Sequence, residues 1–132
     1  MLEIPEAIYD DIIAHARKGF PLEVCGILGG RGGVVSAIYR MTNTDQSNEH
    51  FMMDPKEQFA VAKGLRQLEL EMLAIYHSHP ETPARPSAED IRLALTPDVS
   101  YVIVSLAEPG IPVLNAYRIS SGRVEAEPVE IV

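Results

Sequence analysis

The sequence predicts a single-domain α/β fold, one mixed β-sheet flanked by helices. Three observations predict it. Apolar residues recur at helical spacing near the start and in the middle of the chain, and short β-branched runs separated by Gly and Pro turns fill the rest. Pure βαβ winding would need more crossover helices than these 132 residues offer.

The elements follow in order. Residues 5–18 read as a first helix: Pro5 suits a first helical position, Ile4, Ile8, Ile12 and Ala16 share a face, and Gly19 follows as a stop. Val24 to Leu28 reads as a buried strand, Gly29 to Gly33 as a turn, and Val34 to Met41 as the returning strand of a hairpin. The glycines are no phosphate loop, since neither Lys-Ser/Thr nor a helix pattern follows them. Thr42 to His50 is polar and aperiodic, a loop long enough to bind something or merely to connect. Asp54-Pro55-Lys56-Glu57 combines an N-cap, a first-turn Pro and an acidic N3 residue, opening a second helix with Phe59, Ala62, Leu65, Leu68 and Met72 on its apolar face. Leu73 to His77 returns to strand character, Glu81 to Pro86 forms a stiff loop, and Ser87 begins a short third helix to about Leu95. Strand-like runs at 101–106, 113–119 and 124–129 close the chain.

Composition narrows the function classes. A chain of this length buries roughly two-thirds of its unfolded surface, so one core suffices without disulfides. The single Cys25 excludes an internal disulfide framework and a Cys-rich zinc site. Residues 1–66 carry 7 basic and 9 acidic groups, residues 67–132 carry 4 and 10, and the net charge is −8, which argues against nucleic acid as a partner. The N-terminal stretch has acids where a signal peptide needs a basic leader, and no apolar run reaches the ~18 residues of a membrane span. The expectation is a cytoplasmic domain with no membrane partner.

Chemistry concentrates in Ile75-Tyr76-His77-Ser78-His79-Pro80. Two His at i and i+2 on an extended backbone point to the same side, so both imidazoles reach one point. Two neutral imidazoles and one oxygen ligand suit Zn²⁺ and leave a position for water. His-x-His alone also describes ordinary surface groups. The run continues, however, as H-S-H-P-x6-S-x-x-D, with Ser87 and Asp90 in the first turn of a helix. Ser87-Ala88-Glu89-Asp90 is at once an N-cap signature and a way to fix a carboxylate toward the two His. A hydrolytic site also needs a base. Glu23, immediately before an otherwise apolar strand, is a candidate, although spacing alone does not rank it above Glu57, Glu81 or Glu89. Other metal signatures fail: H-E-x-x-H is absent, and one Cys cannot supply the P-C-x-x-C of zinc deaminases. Cys25 lies inside an apolar run, where a lone thiol packs rather than reacts.

Glu23 followed by H-S-H-P-x6-S-x-x-D resembles the complete signature of the JAMM (MPN+, Mov34/MPN/PAD-1) zinc metalloproteases. The likeness extends to the short prokaryotic branch through P-x-E-x-C-G-x-L-x-G (Pro21 to Gly30) and F-x-M-D-P (Phe51 to Pro55), so that it covers nearly all of 1–132. The resemblance implies a cytidine-deaminase-like fold and one Zn²⁺ per chain, with His77, His79 and Asp90 as ligands. It further implies Glu23 as the base and Ser87 as a hydrogen-bond donor to the forming oxyanion. The substrate it implies is the C-terminal tail of a ubiquitin-like sulfur-carrier protein, its Gly-Gly end held in a narrow groove by strand addition. Loop 42–50 and the 81–85 turn are the expected walls, with His50 and Arg85 as candidate substrate contacts. Two alternatives stand beside this: a broader isopeptidase of deubiquitinase type, and a module that holds zinc structurally and binds such a carrier without cutting it. A structural site needs a fourth protein ligand, which here would be Cys25 or Glu23.

Overall fold

A computed structural model describes residues 1–132, in the order β1 (Leu2–Ile4), α1 (Glu6–Gly19), β2 (Cys25–Arg31), β3 (Val34–Met41), α2 (Pro55–Gln67), β4 (Glu71–His79), α3 (Ala88–Arg92), β5 (Ser100–Ser105), β6 (Val113–Ser120), β7 (Arg123–Glu127) and β8 (Val129–Ile131). All eight strands join one mixed sheet, ordered β7-β6-β5-β4-β2-β3-β1-β8. The two outermost strands are consecutive in sequence, separated only by Pro128. One stretch of chain therefore borders both edges and the sheet curls toward closure, which leaves little edge for unwanted pairing. Pro128 cannot donate to a ladder, but its carbonyl accepts from Leu2 N–H at 3.0 Å, stitching the seam.

The curl wraps α1. Ile12, Ile13 and Ala16 pack with Leu2, Ile4, Leu28, Tyr76 and Val102 in the main core. Each fully buried large aliphatic side chain there contributes roughly 1.5–3 kcal/mol. On the other face of the sheet, Cys25 and Ile27 of β2 and Met41 of β3 cluster with Met53 and with Leu65 of α2. Strand alternation thus divides β4: Ala74 and Tyr76 go to the α1 side, and Ile75 goes to the α2 and α3 side. His77 and His79 share the parity of Ile75, and this puts both imidazoles on the face where the loops converge.

Several sequence expectations need adjustment. Gly29 and Gly30 belong to β2, and the turn is made by Gly32 and Gly33, whose φ of +58° and +78° suit a two-residue hairpin. Residues 124–129 are split at Pro128, and β1 is a strand the sequence did not predict. The apolar face proposed for α2 was rotated: Leu65 is buried, but Phe59 is 74% and Leu68 60% exposed, because Val61 and Leu65 face the sheet instead. Asp54 does cap α2 through Lys56 N–H at 2.8 Å, whereas Glu57 reaches away to Thr42 N–H and Oγ1, each at 2.7 Å. The third helix ends at Arg92, short of Leu95. No helix is long and apolar enough to cross a membrane.

Candidate metal centre

Local rules place each group of the centre. β4 runs extended through His79, so its two His side chains project together. Ser87 caps α3 by accepting from Asp90 N–H at 3.0 Å, and the Asp90 carboxylate accepts from Ser87 N–H at 2.9 Å, a reciprocal capping box. The box locks the Asp90 rotamer, and its Oδ2 faces both imidazoles. Cap and ligand geometry are therefore one arrangement. Ser87 Oγ uses a lone pair in the cap, which leaves its hydroxyl proton available to a further acceptor.

Three donor atoms converge. His77 Nε2 and His79 Nε2 are 3.1 Å apart, and Asp90 Oδ2 lies 3.2 Å from the first and 3.0 Å from the second. A tetrahedral ion bound at ~2.0–2.1 Å holds its ligands about 3.3 Å apart, so the triangle is close to that edge length. The protonation pattern points the same way. His79 Nδ1 is 2.8 Å from the Pro83 carbonyl, which only accepts, so Nδ1 carries the proton. Nε2 is then the exchangeable position of the ring: protonated it donates to Asp90 Oδ2, and deprotonated it turns a lone pair to the same point, where a cation can take the place of the proton. His77, His79 and Asp90 are the residues able to hold a metal.

Burial sets the electrostatics. It depresses the His77 pKa, against the hydrogen bond that the ring donates to Asp90. His79 is also penalised by burial, but its bonds to Asp90 and Pro83 outweigh this and raise it. Burial would raise Asp90, yet the hydrogen bonds from both His residues prevail and hold the carboxyl well below the usual carboxylate range. The His77 ring is fixed by Phe51, stacked on it with centroids 4.6 Å apart.

Glu23 enters through long-range pairing. Cys25 is opposite His77 in the antiparallel β2–β4 ladder, and Val24 N–H and C=O bond to Ser78 Oγ and N–H at 2.9 and 3.0 Å. Continuing this register brings Glu23 opposite His79. Glu23 is 4% exposed, its Oε1 and the nearby His77 Nδ1 are buried without partners, and burial pushes its carboxyl up to about 8. An unpartnered buried carboxylate beside the donor triangle fits a site that holds further polar groups in use. Cys25, by contrast, is fully buried with its thiol pushed up to about 12, and it does not join the donor cluster.

The candidate substrate contacts separate. His50 pairs with Asp45 at 2.9 Å and lines a cavity shared with His77 and Asp90. Arg85 is exposed and lines a different concavity with Pro83, Ala84 and Asn115. Sequence reasoning missed Asn43. Its side-chain amide donates to the carbonyls of Glu23 and His50, both at 3.1 Å, while its oxygen accepts from Asp45 and Met52 N–H, so it ties loop 42–50 to the base. Only the Asx-turn flavour of Asn43-Thr44-Asp45 hinted at this.

These features define a class: a small α/β domain with a convergent His₂Asp donor set beside a buried carboxylate. A family model described as prokaryotic homologs of the JAB domain matches residues 5–120, and the chain belongs to that family. It is 37% identical over its whole length to a CysO-cysteine peptidase of Mycobacterium tuberculosis, covering 92% of that protein. It is 33% identical to a desampylase of Haloferax volcanii, over 73% of this chain and 74% of the relative. A solution structure from Desulfitobacterium hafniense superposes with a TM-score of 0.92 at 46% identity, covering all of this chain and 93% of the other. The mixed α/β architecture expected from the signature is the one observed.

Proposed function

We propose that this chain is a zinc-dependent metallopeptidase that hydrolyses a peptide or isopeptide bond at the C-terminal tail of a ubiquitin-like sulfur-carrier protein, residues 1–132 acting as one domain with one Zn²⁺. The observation that carries the reading is the donor triangle of His77, His79 and Asp90 beside buried Glu23. The names of the two curated relatives, a CysO-cysteine peptidase and a desampylase, support chemistry of this kind.

In this reading His77, His79 and Asp90 hold the ion. When bound, Zn²⁺ supplies Lewis acidity and a water of lowered pKa. Glu23 accepts the proton of the attacking water and returns it to the leaving amine, a role its position opposite His79 allows. Ser87 donates its free hydroxyl proton to the carbonyl oxygen as charge develops there. His79 is kept in one tautomer by Pro83, and the capping box keeps Asp90 from rotating away. A Gly-Gly tail offers backbone groups and no side chains, so loop 42–50 and the 81–85 turn bind it by main-chain hydrogen bonds, with His50 and Arg85 as outer contacts.

Zinc content and turnover of a carrier–peptide fusion test the proposal together. Wild type is expected to hold about one zinc; Glu23→Gln keeps it but loses roughly 10²–10⁴-fold in turnover; Asp90→Asn loses both. An active Glu23→Gln variant, or a zinc-replete Asp90→Asn, overturns the role assignments.

A further inference from the structure

A concavity opens on the His77 side of the site, and Pro83 is not among its lining residues. It has a volume of about 220 Å³ and shares His77 and Asp90 with the donor triangle. At ~30 Å³ per water that is room for about seven waters, more than a Leu or Met side chain, with its Cβ included, requires. Its walls are Phe51, Met53, Ile75, Leu93 and the ring of Tyr101.

The polar groups around this space are engaged elsewhere. Tyr101 Oη accepts from Thr96 N–H and donates to the Thr96 carbonyl, both at 3.1 Å, so only its ring meets the cavity. Gln58 Nε2 donates to the Met53 carbonyl, and Glu89 pairs with Arg92 at 3.7 Å. No Lys or Arg lines the space. An acidic side chain entering this space would meet the carboxylates of Glu89 and Asp90. What remains is an apolar slot opening on the reacting position.

We infer that this cavity is a specificity subsite for the released fragment: it takes a medium-sized apolar side chain, Met or Leu, from the residue on the amine side of the cleaved bond. The inference rests on the peptidase reading above. The cavity borders the reacting position through His77 and Asp90, where the two glycines of the carrier end offer no side chain, so the nearest side chain able to fill it is the one on the amine side of the bond. Leu93, 43% exposed at the rim, selects the occupant without taking part in the reaction.

The test is a set of carrier fusions in which the first residue after the Gly-Gly end is Met, Leu, Ala, Asp or Lys, together with an isopeptide-linked Lys. Zinc-loaded protein cleaves them and mass spectrometry gives relative kcat/KM. Met and Leu are expected to exceed Ala and Asp by at least about 10-fold, the scale set by filling an apolar pocket. Leu93→Glu should bring that ratio below about 3. Equal rates across the series, a preference untouched by Leu93→Glu, or isopeptide-linked Lys cut fastest overturns the subsite. A second readout is independent of turnover: L-methioninamide should shift the methyl NMR signals of Met53, Ile75 and Leu93, and L-aspartamide should not. If no fusion is cut but methioninamide still shifts those methyls, the peptidase reading fails and the apolar site stands; if fusions are cut without preference and no methyl shifts, the reverse holds.

Discussion

Gly26→Ala should destabilise the protein by about 2–4 kcal/mol, and the cause is Tyr76. Gly26 is paired with Tyr76 across the β2–β4 ladder, and a methyl group built on it would lie under 3.0 Å from Cε2, Cζ and the hydroxyl of that ring. A flexible side chain would swing away. Tyr76 cannot: it is 0% exposed, and its hydroxyl bonds His15 Nδ1 at 2.6 Å. Overpacking a rigid core costs about 1–3 kcal/mol, and displacing the ring also breaks a hydrogen bond worth about 1 kcal/mol. Urea unfolding of Gly26→Ala, Tyr76→Leu and the double variant measures this directly. Each single change destabilises, but the double variant should be more stable than their sum by at least about 1 kcal/mol, since the methyl occupies space the ring has left. Additivity within about 0.5 kcal/mol would refute the clash as the cause. The adjacent residues Cys25 and His77 are also paired, so a strained β2–β4 ladder should lower zinc affinity in the single variant and restore it in the double.

Two further outcomes are expected. Ser87→Ala removes an N-cap and should cost about 0.5–2 kcal/mol of stability; it should also lower kcat by roughly 10²–10³-fold with zinc retained, as loss of an oxyanion donor does. Unchanged kcat with lowered stability would make Ser87 a cap and nothing more. His15 is held down to about 4 by burial and by the charge of Arg40, with Asp11 opposing. The folded state thus prefers neutral His15, the unfolded chain binds its proton near 6.5, and the resulting stability is fully present above about pH 6.5 and lost as pH falls toward 4. For a partly exposed ring this amounts to about 1–2 kcal/mol after screening. Urea midpoints from pH 7 to 4 should therefore fall more steeply for wild type than for His15→Gln, and parallel curves would contradict the linkage.

The parts of the centre legible in the sequence are those governed by local geometry. The period of a strand brings His77 and His79 to one side, and a helix cap fixes Ser87 and Asp90, so four residues could be placed from spacing. Glu23 could not be ranked from spacing, because it reaches His79 through the β2–β4 register, a pairing between segments about fifty residues apart. The family signature singled it out, and the structure buries it where the register continues opposite His79. Asn43 was hidden because its work is done through backbone carbonyls, which leave no periodic trace. Phe59 was misread since Phe59, Leu65 and Leu68 do not share one narrow stripe, and packing against the sheet chose the side bearing Val61 and Leu65. β1 and β8 have three residues each, too short for alternation to show, and form because they pair with each other along the seam.

Ser78, between the two His residues, shows why the centre sits on this strand. It is 0% exposed, and a buried hydroxyl must be satisfied. It accepts from Val24 N–H, just before β2 begins, while Ser78 N–H bonds the Val24 carbonyl. The residue these bonds anchor is the one after Glu23, and Asn43 grips the Glu23 carbonyl from the other side. A carboxylate burdened by burial would otherwise gain from swinging toward solvent. Bound on both sides through its backbone, it stays opposite His79. The strand therefore positions both the donors and the base: His77 and His79 turn their rings to the ion site, and Ser78 between them bonds sideways to Val24 and holds the entry to β2 in place.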